Sequence, residues 1–598
     1  MALDSQINIY SVDTGNFYSH HERRLHNRNA QFRRERNYLN KQIKDLGEEL
    51  IVYGYTRDDL KKFKKGDIEH ATILTNGTEG FIQRYITLCK LSDYKRACAY
   101  DTKDTLLDLL ANKVDQNKKT QGRDHMRYID ESTVGDTSVI SVFSSDLNRT
   151  LGIERDELTD DIITIQVYYF DVFKDIFLYG FTFRGEKYRF YSSSAGQIRT
   201  KKAVFIKEKV WNKYEKTLLC GLTIDQINAK GGNNVNKHMA YTALTNSATD
   251  VWENFDIDRT IVIEDFETPV WGTYDLIDDV DYSIERISDY VPIPHTDGAG
   301  MVLYGHNRMV RLPWVKGLLG VFDFRRLILE KGWSPIVKDI YGKQYNIIEE
   351  GIEVIFTKSQ FKLWKFYDSW EDYKEKFKKY HCHANYCKVE EEKIGNTRIN
   401  YQMLQTLTDV SDGDVEYIAQ RSVDKLTNFT ASVENIQRFF GVTPYNEDMT
   451  PLQEAIKLYP NLLNDAYLKN ILRDVKNRLV HRYRAGKLEI EGKYTFLLPD
   501  FYAACEYWFG GEENPRGLLE DKEVYCQLYP NRDKLDCLRS PHLYKEHAIR
   551  NNVAARDYAE GDEDTLVRQR ELNKWFDTNA VYTSCHDLIS KILQFDDL

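Results

Sequence analysis

Long apolar runs are missing from this 598-residue chain. No stretch approaches the ~18 uninterrupted apolar residues of a membrane-spanning helix, so no membrane partner is expected. The start, Met1-Ala-Leu-Asp-Ser-Gln6, lacks a basic region followed by an apolar one; no secretory signal is read and the cytoplasm is the expected compartment. The nine cysteines are an odd number without regular spacing, which fits reduced thiols and not a disulfide framework. Proline is scarce, 12 against 40 tyrosines, and favours ordered elements with many amphipathic ring contacts. A basic excess is also missing. With a net charge of −11 the chain is no nucleic-acid coat, although an acidic total is compatible with a local cationic channel. There is no P-loop either: the glycine-rich string Lys230-Gly-Gly-Asn-Asn-Val-Asn236 lacks the Gly-x-x-x-x-Gly-Lys-Ser/Thr spacing and is expected to be a flexible tip.

What is present is a globular composition, 42% hydrophobic and 29% charged, long enough for roughly three to five domains. Residues 1–150 read as mostly helical. Their cations from His20 to Arg36 suit either a solvated helix face or a nucleic-acid contact, and the polar string 115–123 reads as a loop. From Asp161 the pattern turns β, with strands expected over Ile162–Phe170 and Ile176–Phe183. Residues 222–260 read as helix and loop. Tyr380-His-Cys-His-Ala-Asn-Tyr-Cys387 holds zinc-type side chains, but tandem neighbours diverge and no distal pair matches, so surface thiols and imidazoles are expected. Residues 400–482 read as helical, closing on a stretch whose Leu468, Leu472, Val475 and Leu479 keep three-to-four spacing before a basic end. A second β region is expected from about Gly486, with Lys487–Asp500 partly alternating.

The chain is organised around residues 292–326. Thr296-Asp-Gly-Ala-Gly300 gives a glycine turn ahead of short apolar runs, and Leu312-Pro-Trp-Val-Lys-Gly-Leu-Leu319 sets Lys316 beside a glycine that permits close approach. A cation in such a run is costly to bury unless it meets an anion; the other reading is a hairpin turn with a snorkelling lysine. Further back, Ser192-Ser-Ser-Ala-Gly-Gln-Ile-Arg-Thr-Lys-Lys202 supplies small donors and cations at a strand-turn junction. It suits backbone phosphates or ribose equally as well as it suits an ordinary turn.

In this order, the serine-rich Gln-x-Arg segment, the Asp-Gly-x-Gly and Lys-Gly segments, Ser359-Gln-Phe-Lys362 and Arg539-Ser-Pro541 resemble motifs of the RNA-dependent RNA polymerases of the cellular, gene-silencing type and their phage-encoded relatives. The resemblance covers roughly residues 185–598. It implies an α+β fold: two double-psi β-barrels (285–370 and 486–598) joined by a helical connector (371–482), behind a β-rich template- and nucleotide-contacting region (155–280); the N-terminal helical region (1–150) owes nothing to it. It implies that Lys316 and Lys362 are catalytic lysines offsetting phosphate charge, that Arg539 binds the nucleotide beside Lys316, and that Gln197, Arg199, Lys201 and Asp297 contact nucleic acid.

The family's Asp-x-Asp-Gly-Asp loop holds Mg²⁺, because closely spaced carboxylates attract hard cations. Here the apolar lead-in reaches Phe595-Asp596-Asp597 and the sequence stops after Leu598, so Asp596 is the expected survivor of the metal-binding, catalytic triad. Val410-Ser-Asp-Gly-Asp414 is a partial match out of order, where a helix N-cap is expected. The function implied is template-directed RNA synthesis from ribonucleoside triphosphates, by a truncated enzyme or by one part of a split enzyme whose second polypeptide brings the aspartates. A terminus that has diverged and binds metal differently is the third explanation. Two other functions are carried: a phage-type DNA-directed single-chain RNA polymerase, and a non-catalytic nucleic-acid-binding subunit. An RNA or DNA template is the partner in each case.

Overall fold

The computed structural model describes residues 6–66, 77–122, 126–153, 157–278, 281–399, 403–404, 407–446, 449–531, 534–538, 547–555 and 563–588. The chain divides into two compact units: Ile7–Val142 with Asp156–Tyr214, and Glu215–Leu598 with Phe143–Arg155 and Met1–Gln6. No described helix is long and apolar enough to cross a membrane.

In the smaller unit the helices His20–Val52 and Glu79–Thr120 pack through Leu46, Leu50, Ile82 and Ile86. A seven-stranded mixed sheet adds Gln6–Asp13, Arg127–Tyr128 and Val139–Phe143 to four strands between Leu158 and Lys207. The N-terminal region is thus helical as expected, with three strands inside it. Two expectations fail here. The polar string 115–123 is helix as far as Thr120, because Asn117 is buried and donates to both oxygens of Asp175 (2.7 and 2.8 Å), which Arg127 Nε also holds at 2.9 Å. The first expected strand is displaced to Leu158–Gln166 and the second shortens to Phe181–Phe183, around a helix, Phe170–Tyr179, whose Val172 and Ile176 lie one turn apart and are fully buried. Aromatic content gave a β signal where the burial pattern is helical.

The larger unit contains two sheets with one topology. In the first, Thr260–Ile263 pairs parallel with Val354–Thr357, which pairs antiparallel with Ala299–Val302, which pairs parallel with Val315–Val321, which pairs antiparallel with Arg308–Leu312. Asn385–Val389 and Asp250–Val251 extend that edge. In the second, Leu497–Pro499, Val581–Thr583, Glu523–Tyr525, His547–Asn552 and Lys534–Leu538 follow one another with the same alternation of parallel and antiparallel pairs. In both, a helix follows the fourth strand in chain order, Phe324–Lys331 or Glu563–Trp575. One hydrophobic core serves both sheets, running from Ile261, Met301 and Phe322 to Leu498, Phe501 and Tyr582.

The sheets differ in the connection between their first two strands. In the second it is the buried helix Phe501–Cys505 and a loop. In the first it is a two-stranded ribbon, Glu267–Ile277 against Ile284–Pro294. The second β region does not begin near Gly486. Residues 487–496 form no strand, and Glu489 instead accepts from Arg398 Nε (3.0 Å), Lys425 Nζ (3.0 Å) and the Tyr483 hydroxyl (2.8 Å); ion pairing has taken the charged half of the apparent alternation. The expected helical stretch is present as Asp412–Thr427, Val433–Phe439, Pro451–Leu458 and Ala466–Arg484.

Candidate functional site

The site is built on the turn that leads into Ala299–Val302. Ala299 N–H donates to Thr296 O at 2.9 Å, and Gly298 closes the turn at φ +66°, a conformation glycine adopts without strain. Beneath the turn lies Asp265, two residues beyond the strand Thr260–Ile263. Ser359 donates to it from its backbone N–H (2.9 Å) and its hydroxyl (2.7 Å), and the Thr296 hydroxyl donates at 3.2 Å. Ser359 Oγ in turn accepts from Gly298 N–H at 2.8 Å. Burial raises the Asp265 pKa, the Ser359 bonds oppose the rise, and the Asp297 charge adds to it.

The lysines arrive from two neighbouring segments. Val315 and Phe361 form an antiparallel bridge, and Lys362 N–H donates to Trp314 O at 2.8 Å, so Lys316 and Lys362 each stand one residue from the bridging pair. Trp314 holds φ +64°, where a turn usually places glycine; its ring is fully buried and its indole N–H donates to Leu219 O at 2.8 Å. Lys316 is exposed, and Arg311 stands directly opposite it in the ladder. Two like charges in such a pair are unfavourable by themselves. The Lys362 ammonium donates to Ser359 O, which ties it to the Asp265 network. Lys358, which flanks it, is paired with Glu264 at 2.9 Å.

Gly317 is approached closely, but by the protein itself: a Cβ there would meet Gln360 Nε2 at 2.2 Å and Gly298 O at 2.5 Å. Gln360 is buried and donates to Leu318 O (3.0 Å) and Gly298 O (3.2 Å). The Lys-Gly pair therefore combines an exposed cation with a packing glycine.

Asp297 is exposed on the same turn. Gln197, Arg199 and Lys201 belong to the smaller unit. The Gln197 side chain closes a capping box, accepting from Ser194 N–H at 2.9 Å, while Arg199 and Lys201 are exposed and Lys201 sits at φ +56°. Arg539, Asp596 and Asp597 lie outside the described residues. Among the described residues no three His, Cys, Asp or Glu side chains gather to hold a metal. Cys382 Sγ donates to Thr217 O (3.2 Å) and His383 Nδ1 meets Asp146 Oδ1 (3.2 Å). Ser411 caps its helix with Asp414 returning the bond at 3.0 Å.

Asp265 escaped the sequence reading. Its signal was Ile261-Val-Ile-Glu-Asp265, a β-branched strand ending in carboxylates.

Residues 133–554 match the family described as RNA dependent RNA polymerase. Aligned over its whole length, the chain is 42% identical to a protein of Bacillus phage SPbeta named DNA-directed RNA polymerase YonO, and spans 63% of that protein's length.

Proposed function

We propose that this chain, which belongs to the RNA dependent RNA polymerase family, carries the phosphate-handling part of a template-directed RNA polymerase. The observation that supports this best is the convergence of the Lys316 and Lys362 segments at the Val315–Phe361 bridge, with Arg311 opposite Lys316 in the ladder. In this reading a 3′-hydroxyl attacks the α-phosphorus of a ribonucleoside triphosphate and pyrophosphate leaves. Lys316 and Lys362 offset the charge that gathers on the phosphate oxygens, and Asp265 positions Lys362 through Ser359. Arg539 holds the nucleotide; Asp297, Gln197, Arg199 and Lys201 contact nucleic acid. Mg²⁺ in this family supplies charge stabilisation at the reacting oxygens. Its ligands are expected in the stretch containing Asp596, a single carboxylate of which is a weak site for a hard cation.

We read the two sheets, which share a matching run of five strands, as two double-psi β-barrels, on the strength of the family and of the repeated topology. A DNA template is the second reading, favoured by the name of the 42% identical phage protein.

The test is incorporation of labelled ribonucleotides with Mg²⁺ on single-stranded RNA and DNA templates in parallel. Lys316→Ala and Lys362→Ala are each expected to lower synthesis by about a hundredfold or more, the usual effect of losing one charge-stabilising group. Undiminished product in both variants would remove the lysines from the mechanism. If the chain alone makes no product, salt-sensitive template binding and rescue by an added polypeptide bearing Asp-x-Asp-Gly-Asp are expected; no binding at all would sink the polymerase reading.

A further inference from the structure

The ribbon Glu267–Ile277/Ile284–Pro294 carries none of the residues assigned above to phosphate or template. Eleven cross-strand pairs join its arms, and outside its base almost every residue is exposed. An isolated two-stranded hairpin is marginal in water and gains stability from a third layer. Here one face carries Trp271 against Tyr290, with ring centroids 5.1 Å apart and exposures of 60% and 61%, and Ile277 opposite Ile284. The other carries Tyr274 opposite Ile287 and Leu276 opposite Glu285. Exposed apolar surface on both faces of one element marks an interaction site.

Charge selects the occupant. Residues 267–294 contain Glu267, Asp275, Asp278, Asp279, Asp281, Glu285 and Asp289, seven acids, against the single base Arg286 and no lysine. Arg286 is already paired with Asp275 at 3.0 Å. A phosphate backbone is repelled by such a surface, and so is a second copy of a chain with net charge −11. The equivalent connection of the second sheet folds down as the buried helix Phe501–Cys505, so the topology does not require a projecting arm.

We infer that this ribbon is a docking surface for a protein segment that presents an apolar face flanked by lysine or arginine. The aromatic and isoleucine pairs supply the contact area, and the acids set orientation and association rate.

Hydrogen exchange over residues 267–294 tests this with four probes added to the whole chain: an amphipathic leucine/lysine peptide, the same peptide with every lysine replaced by glutamate, a single-stranded RNA and a duplex DNA. Ribbon amides are expected to exchange rapidly in the free chain and at least tenfold more slowly with the lysine peptide alone. Trp271→Ser with Tyr290→Ser, and separately Asp278→Asn with Glu285→Gln and Asp289→Asn, are each expected to weaken that peptide at least tenfold. Unchanged exchange in Val315–Val321 shows that the fold is kept, and the second set, all at exposed polar positions, stands if the first perturbs it. The inference is overturned by protection from RNA or DNA, by equal protection from both peptides, or by protection that rises with the chain's own concentration. The absence of any protection, or unchanged peptide affinity in either variant, overturns it as well.

Discussion

Asp265 and Asp500 occupy matching places in the two sheets of the larger unit, just beyond the first strand of each, and both are buried carboxylates whose pKa burial raises. A serine matches too, Ser359 or Ser584, just beyond the strand paired parallel with the first. The wiring differs. Asp500 accepts from backbone amides, those of Ala503 (3.0 Å), Leu518 (2.9 Å) and Leu519 (3.3 Å), while Ser584 donates to Leu519 O at 2.9 Å. Asp265 accepts from Ser359 and Thr296, on the turns that present Lys362 and Asp297. The same position has been used once to fasten backbone and once to hold in place the turns that carry Lys362 and Asp297. A buried carboxylate served by backbone amides reads as architecture, and one served by hydroxyls beside cations reads as a site.

Removing the acceptors should separate the two roles. Asp500→Ala leaves three amides unpaired, two of them buried, and is expected to cost about 3 kcal/mol or more, seen as a lowered thermal midpoint; a change under about 1 kcal/mol would end the architectural reading of that residue. Gly317→Ala drives a methyl against Gln360 and Gly298 O and should cost about 1–3 kcal/mol by the same measurement. Asp265→Asn places an NH₂ among donors and should cost only about 1–2 kcal/mol, but by freeing Ser359 and Lys362 it is expected to raise the nucleotide KM while template affinity stays unchanged. An unaltered KM would make Asp265 a second Asp500.

The smallest effect is in pH. A carboxyl with a raised folded-state pKa contributes stability that is complete below the ordinary aspartate value and is lost as pH rises through the folded value. The difference in thermal midpoint between the native chain and Asp265→Asn should therefore shrink with rising pH from the ordinary aspartate range upward. A widening difference would mean that the buried carboxyl is stabilised as its anion.

Much of this was legible beforehand. The family, the mixed α+β class and the helical stretch ending in Ala466–Arg484 all followed from local strings. What stayed hidden depended on distant partners. Asn117 continues a helix through a polar string because Asp175, 58 residues away, receives its amide. Phe170–Tyr179 turned helical because the sheet needed a crossover, which aromatic content does not encode. Asp265 was invisible because a lone aspartate after a strand carries no sign of the serine 94 residues on that makes it matter.

Gly320 has no side chain, and Leu498 and Phe501 lie where one would be; the same core that begins at Ile261 ends at Cys585. On the ribosome this sets a schedule. The apolar side of the first sheet is synthesised early, yet its cover is complete only about 320 residues later (585 less 261), on the order of 16–65 s at ~5–20 residues per second. During that interval the nascent chain exposes a half-made interior.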